Sequence, residues 1–247
     1  MYKAIGKKTI RLLFILTSLG VYSADNEVYI DQSGATSNID IEQVNGSGNI
    51  IGGADAVAGT MTPLDLDGGS LTLDILQKGS SNKFLGDIWA DSYTGYFSFI
   101  GDSNTFNMST DETNTYGADS SNVNVQVTGS SNTMTLNHAM VALADTLDLD
   151  WTIQGSSNSI TAGIDVDGAT NYMDIDGSDN AVTYTGTGVT ASAGGYFYLD
   201  HTGGSRTFNI SQLSTQDNDW LKIISVSGTA ASTVCVIQND QGTSTSC

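Results

Sequence analysis

The sequence predicts an all-β protein, a β-solenoid of stacked short strands joined by Gly/Asn turns. Three observations carry that expectation: apolar and polar residues alternate over many short segments, the turn Gly-Ser-Ser-Asn recurs, and the turns return at regular intervals. Strict alternation marks a strand with one buried face. Repeated along a chain, such units bury that face by stacking on one another. The same alternation suits a β-sandwich of meandering hairpins, which stands as the alternative.

The first segment, 1–23, reads as a secretory signal peptide. Lys3, Lys7, Lys8 and Arg11 precede the uncharged run from Leu12 to Val21, and small residues follow at Ser23 and Ala24. The apolar run is shorter than the roughly 20 residues a membrane-crossing helix needs. The exported chain is expected to begin at Ala24 or Asp25, extracellular or at a cell or virion surface, with no membrane insertion after cleavage. Four of the eight basic residues lie in this leader and none of the 27 acidic ones do, which leaves four against 27, a net −23. Nucleic-acid binding depends on Lys and Arg neutralising phosphates, so that partner class is excluded.

After the leader come an N-terminal repeat pair at 24–51, a Gly- and Ala-rich linker or loop at 52–70 around the sole proline, Pro63, and a main β-repeat domain at 71–227. The tail, 228–247, holds both cysteines. In an exported chain Cys235 and Cys247 are expected to pair, closing a loop that stabilises by about 3 kcal/mol; free thiols or links between chains are the alternative. The stretch 136–146 lacks alternation and reads as a short helix or an insertion in a rung.

Gly-Ser-Ser-Asn occurs at 79–82, 129–132 and 155–158, and looser Gly/Asn copies lie at 34–38, 46–49, 101–104, 168–171 and 177–180, with a degenerate one at 203–206. Glycine supplies positive φ without steric cost, and asparagine bonds local backbone groups. Alternating strands flank these turns, as in Leu71, Leu73 and Ile75 or Leu147, Leu149, Trp151 and Ile153. Two strands per rung fit the turn spacing, and about nine rungs at about 4.8 Å each give a rod of roughly 40 Å.

In several copies a Gln stands just before the Gly: Gln32, Gln43, Gln77 and Gln154. This Gln-x-Gly-x-x-Asn pattern resembles the curlin repeat of curli amyloid subunits, best at 28–51 and 71–84. The resemblance implies an exported amyloid-like solenoid whose Gln and Asn stack as ladders from rung to rung. The positions that would carry the ladder are Gln32, Asn38, Gln43, Asn49, Gln77, Asn82, Asn132, Gln154 and Asn158.

No nucleophile motif surrounds His138 or His201, the two histidines, and the reading is of a non-enzyme. Paired aspartates invite calcium, which takes six to eight oxygen ligands; the candidates are Asp165, Asp167, Asp174, Asp176 and Asp179, with a solvated, association-blocking strand face as the other reading. No further cofactor is implied. Aromatics grouped at Trp89, Tyr93, Tyr96, Phe97 and Phe99 and at Tyr196, Phe197 and Tyr198 suit either a glycan-binding face or the core. The function read from the sequence is therefore a structural or adhesive fibre or matrix subunit that self-associates or joins other surface subunits. The alternative is an extracellular module that binds glycan or calcium.

Overall fold

The structure, a computed structural model, describes residues 11–15, 27–44, 46–54, 61–62, 64–110, 120–138, 146–165, 169–187, 196–212, 220–226 and 232–238. These residues hold strands and no helix. The strands lie in two parallel sheets. The first runs, in stacking order, through Arg11–Ile15, Ser37–Gln43, Leu71–Lys78, Ser92–Ile100, Ser120–Thr128, Thr146–Gln154, Thr170–Asp176, Tyr196–Thr202 and Trp220–Val226. The second takes the strand that follows each of these across a corner, among them Lys83–Ala90, Thr105–Thr110, Thr133–His138, Ser159–Asp165, Asn180–Thr187, Arg206–Gln212 and Ser232–Gln238. The chain thus coils as a β-solenoid, each strand pairing with its counterpart one turn on. A sandwich of hairpins would require antiparallel neighbours. Among the described residues only Gly53–Ala54 and Met61–Thr62 pair that way.

Alternation decides which side chains meet between the sheets. Along Leu147, Leu149, Trp151 and Ile153 every second residue is buried, and the same phase holds in the register-matched Val123, Val125 and Val127. The core carries an aromatic cluster. Phe84 stacks on Phe106 at 5.3 Å, and Phe97 meets both edge-on at 5.1 and 5.2 Å. Gly95 sits within this row, where a Cβ would come 2.5 Å from the Phe97 ring.

The domain boundaries differ from those the composition suggests. Ser37–Gln43 pairs directly with Leu71–Lys78, so the N-terminal repeats belong to the same stack. Ile50–Ile51 pairs with Lys83 and Phe84, and Leu64–Gly68 pairs with the remainder of that strand, Gly86 to Ala90. Leu64 and Leu66 are fully buried. The end of the expected linker is core, its two leucines alternating with aspartates in the strand phase; the reading for 55–60 and 63 lies outside the described residues. The expected tail likewise supplies the strand Ser232–Gln238. Within 136–146, residues 136–138 end a strand, and the reading for 139–145 lies outside the described residues. Of the leader, Arg11–Ile15 pairs in parallel with Asn38 to Glu42, and the reading for the rest lies outside the described residues.

Corner glycines are fixed by backbone crowding. A Cβ on Gly129 would lie 2.2 Å from the carbonyl oxygen of Gly101, and its φ is 136°. Gly129→Ala is expected to lower unfolding free energy by about 3 kcal/mol or more, since strain at positive φ alone costs about 1–3 kcal/mol. Gly69→Ala, whose methyl would meet nothing nearer than 3.4 Å, should change it by about 0.5 kcal/mol or less. Urea unfolding of the two variants checks the contrast.

Candidate functional site

Each residue of the Gly-Ser-Ser-Asn corner has its own task. Glycine lets one backbone pass close over the next, and its N–H donates to the following rung, as Gly129 does to the Gln154 carbonyl at 2.8 Å. The first serine accepts from the rung after it. Ser130 Oγ accepts the Ser156 N–H at 3.2 Å, Ser156 Oγ accepts that of Ser178 at 3.1 Å, and Ser178 Oγ accepts that of Gly204 at 2.8 Å. The second serine takes the left-handed turn, with φ of 62° at Ser81 and 60° at Ser103, Ser131 and Ser157, and Asp179 replaces it at 59°.

Asparagine closes the corner inside. Asn49, Asn82, Asn104, Asn132, Asn158 and Asn180 are all buried. The backbone N–H of each donates to the side-chain Oδ1 of the next, at 3.0, 2.9, 2.8, 2.9 and 2.9 Å in turn. The Nδ2 of Asn82 donates to the Gly79 carbonyl at 2.7 Å and that of Asn104 to the Gly101 carbonyl at 2.8 Å, while those of Asn49 and Asn132 donate to the Oδ1 of the next asparagine. A row of buried backbone donors that a corner would otherwise leave without partners is thereby satisfied.

Four of the sequence-predicted ladder residues, Asn49, Asn82, Asn132 and Asn158, stand in this row, and Asn104 and Asn180 join it. Their looser turns Gly-Asp-Ser-Asn and Gly-Ser-Asp-Asn keep the Gly-to-Asn spacing that was the usable signal. Gln43 and Gln77 are level with each other, and Gln77 Nε2 donates to Gln43 Oε1 at 2.7 Å. Phe99 takes the next position, and the glutamine row stops there. Three predicted ladder residues lie elsewhere. Asn38 is exposed and level with Thr72; Gln154 is exposed, because it directly precedes its glycine and so falls on the outward phase; Gln32 is level with Leu66 and bonds Ser37 Oγ. Asn171, assigned to the looser turn at 168–171, is instead a core residue at the start of a strand and donates to the Tyr184 hydroxyl at 2.9 Å.

The ladder changes character at its C-terminal end. Arg206 is level with Asn180, and His201 takes over a glycine carbonyl: its Nε2 lies 3.1 Å from the Gly177 oxygen and its Nδ1 3.0 Å from Ser225 Oγ. A carbonyl only accepts, so the proton sits on Nε2. His138 is also buried, with Nδ1 2.5 Å from Thr110 Oγ1. Burial lowers the pKa of both, that of His138 to about 3.

Among the calcium candidates, Asp174 and Asp176 share the outward face of Thr170–Asp176, and Asp179 sits in the corner turn. Asp174 is level with Asp200 on the next strand, and burial and the Asp200 charge raise its pKa. The side chain of Asp165 and all of Asp167 lie outside the described residues. Among the described residues no three Asp, Glu, His or Cys side chains are grouped to hold a metal ion. Of the five, Asp174, Asp176 and Asp179 are thus spread over a strand face and a corner, and the reading for Asp165 and Asp167 lies outside the described residues. Cys235 is on the last strand, level with Asn209, and its expected partner, Cys247, lies outside the described residues.

The aromatic groups divide by strand phase. Tyr93, Phe97, Phe99 and Phe197 are core; Tyr96 and Tyr196 face outward. Tyr172 and Trp220, not singled out in the sequence, complete an outer stack with Tyr196 and Tyr198. Tyr196 and Trp220 lie 3.9 Å apart and Tyr172 and Tyr198 4.9 Å apart, with ring planes within 6° of parallel. A sugar ring stacks on an open aromatic face, whereas these rings turn their faces to one another.

Comparison with protein-family models finds no match, and neither do comparisons with curated proteins and with solved structures.

Asn132→Ala removes the acceptor for the buried Asn104 N–H and should cost about 2 kcal/mol, the scale of an unsatisfied buried donor; Asn38→Ala should cost almost nothing. Urea midpoints measure both. Acid titration provides a second check. Above about pH 6.5 His138 is neutral folded and unfolded, and its contribution is complete. As pH falls from there toward about 3, only the unfolded chain takes up the proton, and stability falls by up to about 1.4 kcal/mol per pH unit. Asp65, Asp74, Asp150 and Asp174, raised by burial and by neighbouring aspartates, act with the opposite sign, because protonating them relieves repulsion. Unfolding free energy should therefore drop below about pH 6.5, and His138→Phe should flatten that slope.

Proposed function

We propose that this chain is an exported structural subunit of an extracellular fibre or surface matrix, built on curlin-like repeats and adding to further copies end to end. One observation carries the reading. Val234 and Val236, on the last strand of the second sheet, are level with the core residues Phe208 and Ile210. Yet they are 46% and 42% exposed where Phe208 and Ile210 are fully buried. Their inward row continues the core to the end of the coil, and among the described residues no further rung covers it. Among the described residues, Trp220–Val226 and Ser232–Gln238 each pair with one neighbouring strand.

The outer strand of a parallel sheet is a template for another strand. A head-to-tail contact that does not close on itself generates a filament. The outward aspartates oppose this through net charge, and such repulsion weakens as salt screens it. Export by the 1–23 segment and a Cys235–Cys247 staple belong to the same reading. They suit a rod assembled outside the cell, where disulfides persist.

Purified protein beginning at Ala24 should form filaments with a strand repeat of about 4.8 Å along the axis, faster as salt rises. Val236→Lys places a charge on the open core row while reducing the net negative charge, and it should abolish filaments and leave a folded monomer. Electron microscopy and fibre diffraction measure this. Persistent monomers of the unsubstituted protein across salt concentrations would remove the proposal.

A further inference from the structure

The outward stack at the C-terminal end of the first sheet has a chemistry that assembly does not use. Tyr172 and Tyr198 are level on adjacent strands, with centroids 4.9 Å apart and planes 6° from parallel. The next level belongs to Lys222, whose Nζ lies 5.0 Å from the Tyr198 ring centre. Tyr172 is therefore the phenol that flanks Tyr198 along this row. Tyr172 is 39% exposed, open to a reagent in solution. The Tyr198 hydroxyl donates to Asp200 Oδ2 at 3.3 Å, so a proton acceptor already stands at its oxygen. Trp220, 6.3 Å from Tyr198 and 3.9 Å from Tyr196, extends the aromatic array along which an electron vacancy can be shared.

We propose that Tyr172 and Tyr198 form an oxidative cross-linking site, joined by a carbon–carbon bond between ring positions ortho to the hydroxyls when the protein meets a peroxidase and hydrogen peroxide. Each phenol loses one electron and one proton. The proton of Tyr198 passes to Asp200 and that of Tyr172 to water. The two phenoxyl radicals couple through their ortho carbons, and the two ring hydrogens at the new bond then move to the oxygens, restoring two phenols. Peroxide takes up the two electrons and two protons and leaves as two waters. The product ties the rung at 170–176 to the rung at 196–202 from outside, a covalent staple between elements otherwise held by backbone hydrogen bonds and core packing.

Tyr96 supplies an internal control. It is 50% exposed, yet its neighbours in register are Asp74 and Asn124, so among the described residues no phenol is level with it on an adjoining strand. Folded protein is treated with horseradish peroxidase and hydrogen peroxide, the monomer is isolated, and its peptides are analysed by mass spectrometry alongside dityrosine fluorescence. The expected result is one linked pair containing Tyr172 and Tyr198, lighter than its components by two hydrogen atoms. Tyr172→Phe should remove that pair and the monomer's fluorescence while Tyr96 is oxidised as before, and Asp200→Asn should slow the coupling relative to oxidation of Tyr96. The proposal is overturned if Tyr96 reacts in a monomer that carries no link between Tyr172 and Tyr198. It is equally overturned if Tyr172→Phe retains the fluorescence.

Discussion

At the corners of this coil, the carbonyl of one glycine occupies the space that a side chain on the next rung's glycine would need, at 2.0–2.2 Å for Gly101, Gly129, Gly155 and Gly177. That crowding sets the stack. Because the backbones pass so closely, each corner amide lies within reach of the neighbouring rung, and the asparagine and serine ladders form at hydrogen-bond distance. The corners in turn hold the register in which Val123, Leu149 and their counterparts fall level between the sheets. A one-residue slip would turn every such residue to the outside. A loss at one corner is therefore felt on both adjoining strands.

Outside the coil the same regularity works against stability. Strands stacked in register bring like side chains level, so Asp40 meets Asp74 and Asp174 meets Asp200. The raised pKa of Asp74 and Asp174 records burial first and that repulsion second. Aromatic positions turn the arrangement to advantage, since rings one rung apart meet in parallel. The surface of the rod is thus charged enough to discourage lateral association, while its described C-terminal end exposes valines of the core row. Growth along the axis is the direction in which the proposed assembly extends.

Inside, polar side chains are accepted where a rung partner is available. Gln43 with Gln77 and Thr110 with His138 are level pairs bridged by hydrogen bonds. Protonating His138 would bury a charge with a single neutral partner, which is the physical reason its pKa falls so far.

The sequence by itself determined the all-β class, the alternation that assigns inside and outside, and the corner at which asparagine must sit, because period two and the Gly-to-Asn spacing are local properties of the chain. Only the tertiary structure decided which asparagines share a row. Asn38 and Asn171 have the same turn-like neighbourhood as Asn132, yet the first is exposed and the second begins a strand level with Phe197, because membership depends on what the neighbouring rung places beside it. The same holds for Leu64 and Leu66, which composition assigned to a linker and the coil drew into its core, and for Tyr172 and Trp220, whose outer stack joins residues far apart in the chain. Local pattern fixes the face of each strand. The partner across a gap of about 4.8 Å is set by how many residues the intervening loops consume, and no short window of sequence contains that count.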